Sequence, residues 1–413
     1  MNARNWDRDD PAAAYIPYTA HVTDSIISLE NGQVMAMLAL DGIAHQSANA
    51  DSIDGLHKSL NGLWQNIAGP DVAVWTHIVR RKLDVYPAGD QPAGFAKAFD
   101  RKYKAMMQGQ ELMGNELFVS VVVRPVGAKW ARNLDAAEQL ERRIKRLTDL
   151  LRNCTTSLSQ YGARLLGLYE HRGELYSEPL EVLAYLINGQ RQRIMAPRKR
   201  ISDMLCTSRN VFYKDIVEQR KVSGVTYQAF IGIKEYASGT ETGMLNALLT
   251  CPFELVLSQS LAFLSRSAAV DLMQKHRRRM VNAGDLAESQ IQEIDEALDE
   301  ISSGKYAMGD HQLSLAIKSD DLKELENRAG EVWSVFQDAA PGVLLAREDM
   351  ALEAAFWAQL PGNFKYRPRP APVSTRNFVG FSSFHNYPTG RMTGNQWGPA
   401  VMMLGSVAGS PYF

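Results

Sequence analysis

Short apolar runs with the length of a strand alternate with amphipathic segments of helical length, and this alternation most constrains the fold. The densest runs are Val34–Leu40, which follows the turn-forming pair Asn31-Gly32, and residues 117–123. Asn-Gly tolerates positive φ angles and predicts a tight hairpin. Residues 133–161 instead place apolar side chains three and four positions apart, as on one helix face. No run approaches the ~20 apolar residues of a membrane span. The pattern predicts an α+β fold.

The order of predicted strands and helices is the same in two parts of the chain. We predict a first α+β subdomain over residues 1–189 and a second over 224–360. Residues 190–223 are predicted to be a basic connector, because five Arg and Lys residues fall between 191 and 200. The Pro- and Gly-rich residues 361–413 are predicted to be a linker, since proline interrupts helices and central strands. A duplicated unit is one interpretation of this order, although the residues do not visibly repeat.

Residues 265–302 predict a helical hairpin whose arms carry opposite charge. The first arm contains the basic run 275–279, whereas the second carries seven acidic residues with no Lys or Arg among them. Packed antiparallel, the arms could pair base with acid. Two interpretations stay open. One is a solvated surface hairpin, whose exposed ion pairs contribute ~0–1 kcal/mol each. The other is a protruding arm that docks a neighbouring molecule.

Composition and motifs exclude several kinds of site. The chain has 45 Lys and Arg against 46 Asp and Glu, a net charge of −1, so a globally basic nucleic-acid-binding surface is not expected. Cys154, Cys206 and Cys251 fit neither a disulfide framework nor a Cys-x-x-Cys metal site. His-Glu-x-x-His, Gly-x-Ser-x-Gly and the phosphate-binding Gly-x-x-x-x-Gly-Lys-Ser/Thr are missing. We therefore predict no catalytic, cofactor-binding or metal-binding residue in this sequence.

The most specific signal is a set of aromatic, proline and glycine residues in the last part of the chain. Its members are Glu353, Phe356, Trp357, Pro361, Gly362, Asn363, Phe364 and Arg367, followed by Trp397, Gly398 and Pro399. Pro-Gly forces a turn after a helix, Asn can hydrogen-bond to the backbone of that turn, and aromatic rings supply apolar area around it. We predict a rigid interdomain elbow without chemistry of its own, in which Trp357 and Phe364 are largely buried.

This motif, together with the Ser-Pro-Tyr-Phe run at 410–413, resembles the ATPases of the CagE, TrbE and VirB family of type IV secretion and conjugation. The resemblance is good from residue 353 onward; before that it rests only on length and order of elements. In that family a strand and a phosphate-binding loop follow such a run. The resemblance therefore implies a nucleotide site beyond Phe413, with ATP and magnesium used by the complete parent protein and none in this chain. No catalysis is expected from this chain alone.

The resemblance also implies a function, namely the amino-terminal assembly and docking region of an ATPase that energises substrate transfer and pilus biogenesis. Its expected partners are further copies of itself, inner-membrane subunits and other secretion ATPases. Its expected location is the cytoplasmic face of the bacterial inner membrane, held peripherally, with residues 191–200 able to face anionic headgroups. No direct nucleic-acid binding is expected. The alternative is a self-contained cytoplasmic enzyme or nucleic-acid-handling protein, which the basic residues suggest. The reading frame after Phe413 separates the two.

Overall fold

The computed structural model describes residues 11–413 except 47, 88–93, 126–134, 238 and 284–287. Within these residues the strands are β1 Tyr18–His21, β2 Ile27–Leu29, β3 Val34–Leu40, β4 Ile43–Ala44, β5 Val72–Lys82, β6 Met113–Val123, β7 Arg164–Leu165, β8 Leu168–His171, β9 Glu174–Ser177, β10 Arg209–Phe212, β11 Val217–Lys221, β12 Gly224–Glu235, β13 Leu255–Phe263, β14 Met308–Ser319, β15 Leu344–Arg347, β16 Ala371–Ser374, β17 His385–Asn386, β18 Leu404–Gly405 and β19 Pro411–Tyr412. The α-helices are α1 Ala50–Ile67, α2 Phe95–Gln108, α3 Ala136–Ser157, α4 Glu178–Asn188, α5 Ser202–Leu205, α6 Arg266–Ala283, α7 Glu288–Ser302, α8 Leu322–Ala339, α9 Leu352–Ala358 and α10 Thr375–Phe381. The predicted α+β class is confirmed.

One sheet of 13 strands runs through both predicted subdomains. Its order is β1-β2-β3-β6-β5-β13-β14-β12-β11-β10, and β7, β15 and β16 extend it by pairing with β3, β12 and β14. The strands of the two subdomains meet at the antiparallel pair β5–β13, where Trp75 lies opposite Ser260. The predicted Asn31-Gly32 turn is present between β2 and β3, and both residues have positive φ. The sheet thus unites the two parts of the chain.

The two parts also share a topology. Each begins with a three-stranded meander, β1-β2-β3 or β10-β11-β12. The chain then crosses to the seam strand, β5 or β13, and returns through a helical insertion to the inner strand, β6 or β14. A helix, α3 or α8, and a short strand on the meander, β7 or β15, complete each half. Since β10 and β11 fall within 190–223, the second half begins inside the predicted connector.

Apolar side chains cover both faces of the sheet. On one face, Leu261 and Phe263 of β13 pack with residues of α1 and α3, whereas Leu255 and Leu257 pack with residues of α8. The opposite face packs against α4 and α9, and it includes Val256. Because side chains alternate along a strand, every residue of β13 can be buried, and every one is. The core is therefore continuous across the seam.

The helix that follows each half makes contacts with the other half. α4 follows the first half but packs on strands of the second: Gln219 Nε2 donates to the Ile187 carbonyl at 2.6 Å, and Lys318 Nζ lies 4.2 Å from the centroid of the Tyr185 ring. α9 follows the second half and packs on β12 and β14 of that half, while the indole of Trp75 in the first half donates to the carbonyl of its last residue at 3.2 Å. Each half thus covers part of the other.

Residues 361–413 are mostly irregular, as predicted, but they are packed into the body. β16 pairs with β14, and the side chains of Phe378, Phe381, Phe384 and Met403 are buried. The Thr76 and Ser382 hydroxyls lie 3.0 Å apart. A segment with this many apolar residues gains free energy by covering the sheet, so it does not behave as a free tether in this structure.

The charged helical hairpin is present as α6 and α7. Arg277 Nε lies 2.7 Å from Asp295 Oδ1 across the two arms, so base pairs with acid as predicted. At the base of the hairpin, Ala269, Ile301 and Met308 form a small buried cluster. Along the chain, the hairpin connects the seam strand β13 to the inner strand β14. Its use as a docking arm stays a prediction.

Candidate interdomain motif

The short helix α9 positions the first residues of the motif. Phe356 and Trp357 lie on its buried face, while Glu353 is exposed in the first turn, where a carboxylate interacts favourably with the helix dipole. The Phe356 ring meets the ring of Phe212 edge-on at 5.4 Å between centroids and that of Phe230 at 6.0 Å. These contacts join α9 to the second half of the sheet.

Trp357 attaches the same helix to the beginning of the described chain. Its side chain is 2% exposed, and its indole stacks on the ring of Tyr15 with centroids 4.9 Å apart and planes 11° apart. Tyr15 also contacts the ring of Tyr366 at 5.5 Å. Offset stacking of this kind adds ~0.5–1.5 kcal/mol to the burial of the rings. The predicted burial of Trp357 is confirmed.

The Pro361-Gly362-Asn363 turn is held by hydrogen bonds to distant backbone. Tyr18 Oη donates to the Pro361 carbonyl at 3.0 Å. Asn363 Nδ2 donates to the carbonyls of Tyr15 at 2.8 Å and of Trp357 at 2.9 Å. Gly362 has a φ of 93°, and a Cβ there would lie 2.2 Å from Leu29 Cδ2, so glycine is required by both conformation and space. The turn is thus fixed to the first meander.

Phe364 is only half-buried, and its ring faces two guanidinium groups. The carbon Cζ of Arg124 lies 5.0 Å from the ring centroid and that of Arg367 lies 5.4 Å from it, while Trp75 meets the ring edge-on at 4.9 Å. Burial lowers the pKa of both arginines from its ordinary value, although each remains a cation near neutral pH. Arg367 also donates to the Asp310 carbonyl at 3.0 Å. The ring therefore joins the two halves through cation–π contacts.

Sequence reasoning missed the strand residues that receive the end of α9. Trp75 donates to the Ala358 carbonyl, and His77 Nε2 lies 2.8 Å from the Gln359 carbonyl. Since a carbonyl only accepts, this nitrogen carries the proton, and burial lowers the pKa of His77 to about 4. Trp75 and His77 share one face of β5 because they are two positions apart. A Trp-x-His pair inside an apolar strand was the available signal.

Two family models match this chain. The first, described as the CagE, TrbE, VirB family, component of type IV transporter system, matches residues 164–369. The second, described as the type IV secretion system ATPase VirB4/TrbE, N-terminal domain, matches residues 25–129. The chain belongs to the CagE, TrbE, VirB family. The resemblance noted from the motif is confirmed, and the two matches fall mainly on the two halves of the sheet.

Relatives in the family are similar over nearly the whole chain. The type IV secretion system protein virB4 of Bartonella henselae is 38% identical over 410 residues, which are 97% of this chain and 52% of the relative. The PtlC homolog of Bordetella bronchiseptica is 32% identical, over 97% of this chain and 50% of its own length. Protein virB4 of Rhizobium radiobacter is 32% identical, over 96% and 51%. The chain spans about half the length of the curated relatives it matches.

The family match separates the motif into two parts. The eight residues between Glu353 and Arg367 lie within the matched range and are brought together around α9 and its turn. Trp397, Gly398 and Pro399 lie beyond the match, and Trp397 is 94% exposed. Among the described residues, no hydrogen bond or ring contact joins Trp397 to residues 353–369. Only the first part of the motif therefore forms one structural unit.

A second anchor holds the end of this family member against β5 and β6. Arg80 is buried and donates to the Cys251 carbonyl, to Asn115 Oδ1 at 2.9 Å and to the Ala408 carbonyl at 3.0 Å. Burial lowers the pKa of Arg80 to about 10. The Met113 amide donates to the Gly409 carbonyl at 2.8 Å. This role of Arg80 was not predicted from the sequence.

Neither metal nor membrane features are evident in the part of the chain that the structure covers. There, no group of three or more His, Cys, Asp or Glu residues is placed to hold a metal ion. Helices long and apolar enough to span a bilayer are likewise missing from the described residues. A cleft of about 1100 Å³ lies beside the ends of β3 and β6 and is lined by Arg164 and Arg191. Both arginines form ion pairs within the protein, Arg164 with Glu178 and Arg191 with Glu116.

Proposed function

We propose that this chain is the amino-terminal assembly and docking region of a type IV secretion ATPase that energises substrate transfer and pilus biogenesis. The observation that carries this proposal is the succession of two family matches, 25–129 and 164–369, on one continuous sheet. A single sheet whose two halves share one core suits a rigid platform, because neither half can move without breaking the packing at the seam. The assignment of this region to an ATPase rests on the name of the second family model.

The motif supports a structural role in this platform. Asn363 donates to backbone carbonyls, the Pro361 carbonyl accepts from the Tyr18 hydroxyl, and Trp357 is stacked on a ring, so these contacts hold the chain that follows α9 in one position. The buried histidines are poor candidates for proton transfer near neutral pH, because burial lowers the pKa of His77 to about 4 and that of His311 to about 3. We therefore assign positioning of a motor, rather than chemistry, to these residues.

The remaining features of the complete protein belong to the same proposal. Its partners are other components of the secretion system, including inner-membrane subunits, and further copies of itself. It lies at the cytoplasmic face of the inner membrane and is held there peripherally. The complete protein uses ATP and magnesium at a phosphate-binding loop, which Gly-x-x-x-x-Gly-Lys-Ser/Thr would supply. The relatives, twice as long as the matched region, leave room for such a domain.

The first experiment is to read the gene beyond codon 413. We expect a strand followed within a few tens of codons by the phosphate-binding motif. A stop codon directly after Phe413 would contradict the proposal. In parallel, the purified 413-residue chain should show no ATP turnover above a catalytically dead control of the longer protein, because the phosphate contacts are not among its residues. Turnover that survives further purification would assign the chain its own active site.

The second experiment tests docking. The tagged chain should co-purify inner-membrane subunits of the secretion system from cells that produce them. A variant with Trp357→Ala, which loosens the platform, should capture less of them than Trp397→Ala, which alters an exposed ring outside the folded part of the motif. Equal capture by both variants would show that docking does not depend on the packing of Trp357.

A further inference from the structure

Helix α2 stands on the outside of the body. It connects β5 to β6, and among its described residues only Met107 is buried. Phe95 is 85% exposed, Phe99 48% and Met106 52%. Met107 anchors the end of the helix in a small cluster with Leu112 and Met403. A helix held at one end, with large apolar side chains in water along its length, presents a surface for an interaction.

The aromatic side chains of α2 form a continuous row, in which Phe95 and Phe99 are exposed and Tyr103 is partly buried. The rings of Phe95 and Phe99 stack at 6.1 Å between centroids, and those of Phe99 and Tyr103 stack at 6.1 Å. Their spacing of four residues places them one above another along a helix. Fourteen residues give α2 a length of about 21 Å. The row therefore runs along most of the helix.

The charges of α2 are predominantly basic. Lys97, Arg101, Lys102 and Lys104 are exposed, and Asp100 is the single acidic residue of the helix. Asp100 Oδ1 accepts a hydrogen bond from Tyr86 Oη at 2.7 Å, so this carboxylate is engaged with the preceding segment. The chain as a whole has a net charge of −1, which makes the excess of positive charge on α2 a local feature.

We propose that α2 is an interfacial helix that lies on an anionic lipid surface. In α2 the aromatic side chains share one face, which Lys102 borders, and the other basic side chains lie on the opposite side. This is the composition of helices that enter the headgroup region in the membrane plane. The rings supply apolar contact, and the basic residues supply electrostatic attraction near an anionic surface. This inference rests on the membrane location in the proposed function, and it names the element that makes the contact.

The structure favours α2 over the basic stretch 191–200 as this element. Arg191 lies 3.6 Å from a carboxylate oxygen of Glu116, and Arg193 contacts His171 at 2.7 Å. Arg200 pairs with Glu30. The decisive difference is apolar contact, because the stretch 191–200 offers no comparable row of stacked rings. Attraction without apolar contact is also more easily screened by salt.

The test is flotation of the purified chain with vesicles of phosphatidylcholine alone or of phosphatidylcholine mixed with phosphatidylglycerol. We expect binding to the anionic vesicles and little to the neutral ones. The double variant Phe95→Ser, Phe99→Ser should lower the partition coefficient about tenfold or more, and Arg101→Gln, Lys102→Gln should lower it several-fold. The matched controls are Met350→Ser, at another exposed apolar residue, and Arg191→Gln, Arg193→Gln. Both controls should bind like the parent.

Two further measurements test how deeply α2 enters the membrane and whether the variants fold. Phe99→Trp should add fluorescence that brominated lipid quenches, beyond the quenching measured for the parent chain. All variants should melt with the parent, since the changed side chains are exposed. Unchanged binding in the phenylalanine pair, or no binding of the parent to anionic vesicles, would overturn the inference while the docking assay still tests the proposed function. Loss of subunit capture without loss of vesicle binding would make α2 a protein-docking site and would also overturn it.

The two proposals fail separately. Vesicle binding through α2 together with a stop codon after codon 413 would retain the lipid-binding helix and remove the motor platform. A phosphate-binding loop after codon 413 together with vesicle binding that ignores α2 would do the reverse.

Discussion

The two halves of the sheet have the same scaffold but carry different insertions. In the first half, the seam strand β5 and the inner strand β6 are joined by the single helix α2, which exposes aromatic rings. In the second half, β13 and β14 are joined by the charged hairpin α6–α7. The segment between the meander and the seam strand differs as well: it contains helix α1 in the first half and a 3-10 turn, Asn246–Thr250, in the second. The two halves therefore differ in the segments that connect the ends of their strands.

This difference follows from the constraints on each part. A strand in the middle of the sheet must satisfy two neighbours and bury both faces, so its length and apolar content are restricted. A connection that leaves the end of the sheet has only to return to it, and long insertions there cost little loop-closure entropy. The insertions are therefore where the halves could acquire different surfaces, one apolar and basic and the other a pair of oppositely charged arms.

Trp357→Ala should disrupt the contacts between the two halves most severely. The indole stacks on Tyr15 and belongs to the core shared by both halves, so its truncation should cost ~3–5 kcal/mol in the free energy of unfolding. Denaturant melts measure this loss, and loss of the first and second halves in a single transition would show that they unfold together. Trp397→Ala, at an exposed ring, should stay within ~0.5 kcal/mol of the parent. A loss below ~1 kcal/mol at Trp357 would mean that this contact between the halves adds little stability.

Local features of the sequence predicted individual hairpins and turns better than they predicted which elements contact each other. The Asn31-Gly32 hairpin, the charged arms and the turn after α9 follow from residue chemistry within a few positions. The seam between β5 and β13 does not, since periodicity says that both strands are buried but not which edges pair. The Pro361-Gly362 turn was predicted, whereas its partners Tyr15 and Tyr18 were not, because they lie at the other end of the chain. Arg80 resembles any surface arginine until its three acceptors are seen.

Acidification should weaken both halves through buried histidines. Burial lowers the pKa of His77 in the first half to about 4 and that of His311 in the second to about 3, against about 6.5 in the unfolded chain. Below pH 6.5 the unfolded state binds the extra proton first, so stability is complete above that pH and falls as the pH drops toward 4. Each histidine should contribute roughly 2–3 kcal/mol to this loss.

Melts between pH 7 and pH 4.5 check this prediction. His77→Gln should flatten the dependence by its own share, at some cost in stability at pH 7. His276→Gln, at an exposed position on α6, is the matched control and should leave the curve unchanged. A pH dependence that is the same in His77→Gln as in the parent would mean that the first half does not hold this imidazole neutral.

The turn that enters the first half should be sensitive to a single methyl group. Gly362→Ala combines a positive φ with a Cβ that would meet Leu29, so we expect a loss of about 2 kcal/mol or more. Gly173→Ala is a matched control, because Gly173 also has a positive φ but has open space where the Cβ would be. Its loss should be about 1 kcal/mol. Equal losses would show that the turn can shift away from Leu29 and that its fit against the first meander is loose.

The smallest effect is expected in the hairpin of the second half. Arg277 and Asp295 are each about half exposed, so Arg277→Ala should change the free energy of unfolding by ~0–1 kcal/mol. The charge-reversed pair Arg277→Asp, Asp295→Arg should restore whatever the single change removes, and high salt should erase the difference between the variants by screening. Chemical denaturation at low and high salt measures both. A loss above ~2 kcal/mol would mean that the pair stabilises the fold. A small loss would mean that stability does not dictate the charges of the hairpin, so the difference between this charged surface and the aromatic surface of α2 has another cause.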